Sequence, residues 1–186
     1  MKKIIGLCLF ATVLTLTATA QNSNVRFSAG GGFVSGSFGG ESMNGYGFDF
    51  IAKKDLSETL EGFGQIGYNT FSASYVPFGY TSNELSLNAK INVIPVLVGV
   101  NYKAGNFRPG LGIGYSTASA TFDVSGSLSG GTNLEVIQDA TATGGLTISP
   151  QLGYNFNKVD IVAQYLSISA SGGNASGFGL KVFYNF

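Results

Sequence analysis

The side chains of this chain that could do chemistry are few in number and in kind. Histidine is absent from all 186 residues, and the one cysteine, Cys8, sits in a greasy N-terminal run. Without an imidazole no serine can be activated in the Ser-His manner, and the common His-based zinc sites cannot form. No pair of acids stands at a spacing that marks it for acid-base work, so neither an enzyme nor a cofactor is expected. The glycine clusters Gly30-Gly31-Gly32 and Gly110-x-Gly112-x-Gly114 lack the strand-to-helix setting and the trailing Lys-Ser or Lys-Thr of a phosphate loop. They read as small residues that let other side chains pack. Asp123, Glu135 and Asp139 match no calcium loop and read as solvated loop acids. Asn174-Ala175-Ser176 fits a glycosylation triplet that carries little weight. What remains is a set of charges, Arg26, Asp49, Glu61, Arg108, Asp160 and Lys181, whose use depends on the elements that aim them.

Those elements begin after an expected export signal. Lys2 and Lys3 give it a positive start, Ile4 to Leu16 an apolar middle, and Ala18-Thr19-Ala20 a small-residue cleavage site. Residues 1–20 are therefore read as removed and 21–186 as one folding unit. A retained anchor is the alternative, but the apolar run is short for ~30 Å of hydrocarbon. Without Lys2 and Lys3 the ten basic residues become eight against ten acids, which predicts no nucleic-acid partner. Only 11% of residues are charged, against about 25% in soluble domains, yet no long apolar stretch follows the signal. A transmembrane β-barrel reconciles the two, because its apolar face falls on alternate residues.

The alternation is present. Phe178, Leu180, Val182, Tyr184 and Phe186 share one face, with Gly179, Lys181 and Asn185 on the other and Phe183 as the one large apolar exception there. Leu146 to Phe156 and Phe107 to Thr117 repeat the pattern, and Val25 to Phe33 with Tyr46 to Phe50 form a hairpin. Leu60 to Tyr75 is a weaker strand. Within Leu85 to Tyr102 the apolar parity switches from odd to even numbers, which predicts a β-bulge at Ile94-Pro95. Val159 to Ser169 has ambiguous parity. The expected architecture is an all-β, eight-stranded antiparallel up-and-down barrel. Its short periplasmic turns are Lys53 to Glu58, Lys103 to Asn106 and Asn157-Lys158. Its longer external loops are Ser37 to Asn44, Val76 to Asn83, Asp123 to Thr141 and Ser171 to Ala175.

On this parity Arg26, Asp49, Glu61, Arg108, Asp160 and Lys181 all point into the lumen, toward the periplasmic end. Three cations and three anions in a confined space should pair, and Arg108→Ala should then lower stability. Two uses stay open, a narrow ion or proton path and a structural plug. Eight strands leave room only for side chains, which speaks against a wide pore.

The ending Val182-Phe183-Tyr184-Asn185-Phe186 resembles the aromatic signature that barrel-assembly machinery reads in outer-membrane proteins, with Phe178, Leu180, Val182, Tyr184 and Phe186 as its outward set. Ile94-Pro95-Val96-Leu97-Val98-Gly99-Val100-Asn101-Tyr102, Pro109-Gly110-Leu111-Gly112-Ile113-Gly114-Tyr115 and Pro150-Gln151-Leu152-Gly153-Tyr154 resemble the small bacterial outer-membrane β-barrel domain family, similar to the OmpX and OmpA barrels and common in Bacteroidota. The resemblance implies a monomer in outer-membrane lipid, delivered by periplasmic chaperones and the assembly machinery, with a structural or surface-interaction role through its loops. Narrow-channel or OmpW-like transport of small or hydrophobic solutes is the second reading. A soluble lipocalin-like barrel is the third, opposed by the low charge and the absence of tryptophan.

Overall fold

The computed structural model describes residues 25–38, 41–75, 86–128, 132–140, 144–170 and 173–186. The expected signal at 1–20 and the expected loop at 76–83 lie outside the described residues, as do parts of the loops expected at 37–44, 123–141 and 171–175.

Each alternating segment forms a strand: β1 (Val25–Phe38), β2 (Glu41–Asp55), β3 (Leu60–Tyr75), β4 (Ser86–Tyr102), β5 (Phe107–Leu128), β6 (Thr132–Ala140), β7 (Gly145–Phe156), β8 (Val159–Ala170) and β9 (Gly173–Asn185). Eight of them close a ring in the order β1, β2, β3, β4, β5, β7, β8, β9, with β9 antiparallel to β1 and β4 joined to β5. The fold is an eight-stranded antiparallel β-barrel.

The ninth strand corrects the expectation of a loop over 123–141. Instead β5 continues to Leu128 and β6 folds back along its outer half, from Leu128↔Thr132 to Ala120↔Ala140. Farther down, β7 takes over the same edge of β5 from Ser116↔Gly145 to Phe107↔Tyr154. Five steps from Gly145 to Ala140 match four from Ser116 to Ala120, so β6 and β7 form one column with a one-residue register offset.

The connections 56–59, 103–106 and 157–158 lie at one end, here the turn end; at the other, β1 runs to Phe38 before β2 starts at Glu41 and β8 to Ala170 before β9 starts at Gly173, so most of the loops expected at 37–44 and 171–175 is strand. Gly105 and Asn157 have φ of 63°, the left-handed geometry that tight hairpins demand. Ser57 Oγ accepts from the amides of Thr59 and Leu60 at 3.3 and 3.0 Å, pinning the β2–β3 turn. This turn starts later than expected, because β2 runs to Asp55 and so carries Lys53 within the wall.

No β-bulge forms at Ile94-Pro95. The β3–β4 register runs unchanged from Leu60↔Tyr102 to Tyr75↔Leu87, and β4–β5 from Asn101↔Gly110 to Ser86↔Ser125. Only Gly67 and Tyr68 go unpaired with β4, at the height where Pro95 has no N–H to give. The parity switch has another cause. Ile94, Val96, Val98, Val100 and Tyr102 are outward and exposed, but farther along the outward side chains become Asn92, Lys90 and Asn88, and Val93 is buried inside. Side-chain direction stays fixed while the polarity of the two faces is exchanged.

The same exchange recurs around the ring. Outward Phe107, Leu111, Ile113 and Tyr115 give way to Thr117 and Ser119 on β5, and Phe178 on β9 to Ser176 and Asn174. The apolar belt spans about nine residues per strand, roughly 20 Å of height at 3.3 Å per residue and a ~40° tilt. Such a belt is too large and continuous for water and suits hydrocarbon. Phe27, Phe50, Tyr154, Phe156, Tyr184 and Phe186 collect at its turn-end rim, with the Tyr184 and Phe186 rings 5.4 Å apart. Tyr46, Tyr68, Tyr115 and Tyr165 mark the other rim.

Candidate functional site in the barrel interior

Period-two alternation turns Arg26, Asp49, Glu61, Arg108, Asp160 and Lys181 toward the lumen, and the structure sorts them into separate groups. Asp49 and Lys181 are 0% and 1% exposed, with Lys181 Nζ donating to Asp49 Oδ2 at 2.5 Å and to Asn69 Oδ1 at 2.8 Å. They lie at mid-height, not toward the turn end as expected. Lys181 on β9 reaches over β1 to β2 because the β1 positions on its path, Gly30 and Gly32, carry no side chain. On β2 a Cβ at Gly47 would come within 3.1 Å of Lys181 Cε. A fully buried pair of this kind holds only while both partners stay; removing one leaves an uncompensated charge.

Arg26, Glu61 and Asp160 stay at the turn end. Arg26 donates to Glu61 Oε2 at 2.6 Å and to Asp55 Oδ1 at 2.8 Å. Asp160 pairs with Lys53 at 2.5 Å, and Lys103 stands 3.2 Å from Asp55. Arg108 joins no acid among the described residues. Its Nη1 donates to the carbonyls of Gly105 and Phe107, because its place at the start of β5 folds it back over the preceding turn.

Lys53 is the residue that sequence reasoning missed. The sequence places it at the start of the turn Lys53 to Glu58, whereas β2 runs on to Asp55 and the alternation Asp49, Ile51, Lys53 turns it inward. Side-chain amides extend the polar groups. Asn101 donates to Glu61 Oε1 at 3.0 Å, Gln151 to Asn101 Oδ1 at 2.8 Å, and Gln65 and Gln164 exchange bonds across the lumen at 3.4 and 3.2 Å. Thr147 Oγ1 donates to Ser116 Oγ at 2.6 Å.

Two apolar groups separate these polar ones. Ile51, Phe63 and Phe183 cluster with Val162 between the turn-end charges and the mid-height pair, which explains the inward Phe183. At the opposite end, the loop end, Val34, Met43, Phe71, Val93 and Ile168 form a second core with Ala73, Ala89, Ile91, Ala118 and Ala175 packed against it. The ambiguous β8 resolves with Asp160, Val162, Gln164, Leu166 and Ile168 inward, and Ile161 and Tyr165 exposed. The C-terminal set Phe178, Leu180, Val182, Tyr184 and Phe186 is wholly outward.

Against solved structures, the chain aligns with Ail, the attachment invasion locus protein of Yersinia pestis, at a TM-score of 0.56 and 13% identity, over 87% of this chain and 97% of that one. A second Ail structure, in complex with the heparin analogue sucrose octasulfate, gives 0.54 and 14% over the same shares. Neisserial surface protein A gives 0.50 and 16%, over 88% and 98%. The chain has the fold of the small eight-stranded outer-membrane barrels. No protein-family model matches, and no curated protein matches in sequence. In so narrow a ring charges can pair across the lumen, as Lys181 does with Asp49 and Lys53 with Asp160, each between strands that are not neighbours.

Proposed function

We propose that this protein is an integral outer-membrane barrel with a structural or surface-interaction role, its turn end in the periplasm and its loop end outside the cell. The observation that carries this reading is the exchange of polarity along the wall. Above the belt the strands turn Ser, Thr, Asn and Lys to solvent and gather an apolar core inside, so the barrel continues beyond the membrane as a rigid, water-compatible stalk. A rigid stalk is a suitable mount for binding loops. The β5–β6 hairpin rises from it, and β6 ends the strand order, leaving its second edge unpaired among the described residues. An open edge of that kind can take an added strand from a partner.

In this reading the lumen is closed to solutes, with the loop-end core as the upper barrier and the Asp49–Lys181 pair below it. The outward aromatics of β9 serve as the assembly signal. Catalysis has no place in it, since the chain holds no histidine and no nucleophile converges with a base among the described residues. The decisive experiment is a pair of measurements on the folded protein. A cysteine placed at Lys90 or Ser72 should be labelled by an impermeant maleimide on intact cells, and planar bilayers holding the purified barrel should stay silent. Protection of both positions would overturn the exposed stalk, and steady conductance lost on altering Phe71 or Asp49 would favour the transport reading instead.

A further inference from the structure

The turn end of the lumen opens on a cavity of about 280 Å³. Arg26, Lys53 and Arg108 line it together with only two acids, Glu61 and Asp160. Both acids are already committed on both oxygens. Glu61 accepts from Arg26 and Asn101, and Asp160 from Lys53 and Asn155. Arg108 is placed differently, because only its Nη1 is engaged, by two backbone carbonyls. Its Nε and Nη2 make no hydrogen bond among the described residues. On the neighbouring strand it stands opposite Gly153, where an added Cβ would come within 3.2 Å of Arg108 Cβ, so the glycine lets the arginine stem lie close against the wall. Ile51, Phe63 and Val162 give the cavity an apolar face.

A cavity with one unanswered guanidinium and an apolar wall calls for an anion with a greasy end. We propose that this vestibule binds a small monocarboxylate with a short apolar tail. The planar fork of Arg108 matches a carboxylate through two parallel N–H bonds, and the tail rests on Ile51, Phe63 and Val162. An α-amino group on the ligand would meet no free carboxylate, so the site favours a simple acid over an amino acid with the same tail. The volume lies just below the roughly 300 Å³ at which small-molecule pockets begin, so the ligand is a short one. The site does not depend on whether the loop end is closed.

The test is an NMR titration of the purified barrel in lipid nanodiscs, following the arginine Nε–Hε signals, with isovalerate, isovaleramide, leucine and inorganic phosphate as probes. Isovalerate should give a saturable shift of the Arg108 signal, and the other three should bind about tenfold or more weakly, the scale of a charge-assisted bidentate contact. Arg108→Gln should abolish isovalerate binding, read on a neighbouring Asn155 amide signal, while the variant keeps its heat-dependent gel mobility; Arg108→Lys should retain part of it. The absence of a saturable shift with isovalerate would overturn the proposal without any variant. So would equal binding of isovaleramide, leucine or phosphate, or undiminished binding by a folded Arg108→Gln protein.

Discussion

The lower and upper halves of this barrel are built from the same strands with their polarity exchanged. In the lower half Val98 and Leu111 look outward and Asn101, Gln65 and Gln164 inward. In the upper half Asn88 and Lys90 look outward and Val93 and Phe71 inward. Both are ordinary alternating sheet, and only the solvent each face meets has changed. The lower half resembles a protein turned inside out for lipid, whereas the upper half follows the logic of a water-soluble domain. The boundary between them falls at the rim of Tyr46, Tyr68, Tyr115 and Tyr165, whose rings suit an interface with one wet and one greasy side.

Single-residue changes break or sharpen this contrast. The largest effect is expected from Lys181→Met in the lower half, which strands Asp49 in the interior and should cost about 3–5 kcal/mol in urea unfolding from lipid vesicles. Adding Asp49→Asn should restore much of the loss; a double variant as weak as the single one would mean that packing, not charge, sets the cost. In the upper half Phe71→Ala should cost about 3 kcal/mol, as in a soluble core. A negligible loss there would show that the upper interior is not packed. Outward substitutions probe the solvents directly. Val98→Arg, in the middle of the belt, should cost about 2–4 kcal/mol, while Ser72→Arg, above it, should change stability by less than about 0.5 kcal/mol. Equal effects at the two sites would erase the boundary. The smallest change is expected from Arg108→Ala, about 1 kcal/mol or less by the same unfolding assay, since only hydrogen bonds to turn carbonyls are lost. That reverses the sequence-based expectation of a structural partner in an ion-pair network.

Where both faces kept one polarity the sequence was easily read. β7 alternates from Leu146 to Phe156 without interruption, and its side chains fall as the alternation predicts. β9 is legible for the same reason over Phe178 to Phe186, below its own exchange of polarity, down to the anomaly of Phe183. On β4 the reading failed, because alternation reports two faces without naming the solvent beside each, and a change of solvent at Asn92 looks like a slip of register at Pro95. The β5–β6 hairpin carries a broken signal: Phe122, Val124 and Leu128 alternate with Asp123, Ser125 and Ser127, but Gly126 interrupts the apolar face and Gly130-Gly131 follow, so the stretch reads as loop although neighbouring backbone pairs it into sheet. Within the interior the charged types were visible but their partners were not, since Lys181 meets Asp49 across an intervening strand and only the closed ring brings them together.

Closure also dictates an order of events. Ser28 donates its hydroxyl hydrogen to Asn185, 157 residues away, and β1 has no other neighbour on that side than β9. The first wall built is therefore the one left waiting longest. Every shorter piece of chain is an open sheet with two adhesive margins and a greasy outer surface, a hazard in any aqueous compartment. A nascent molecule stays an open sheet until its final segment arrives, and a chain cut short before β9 has no way to become a cylinder at all.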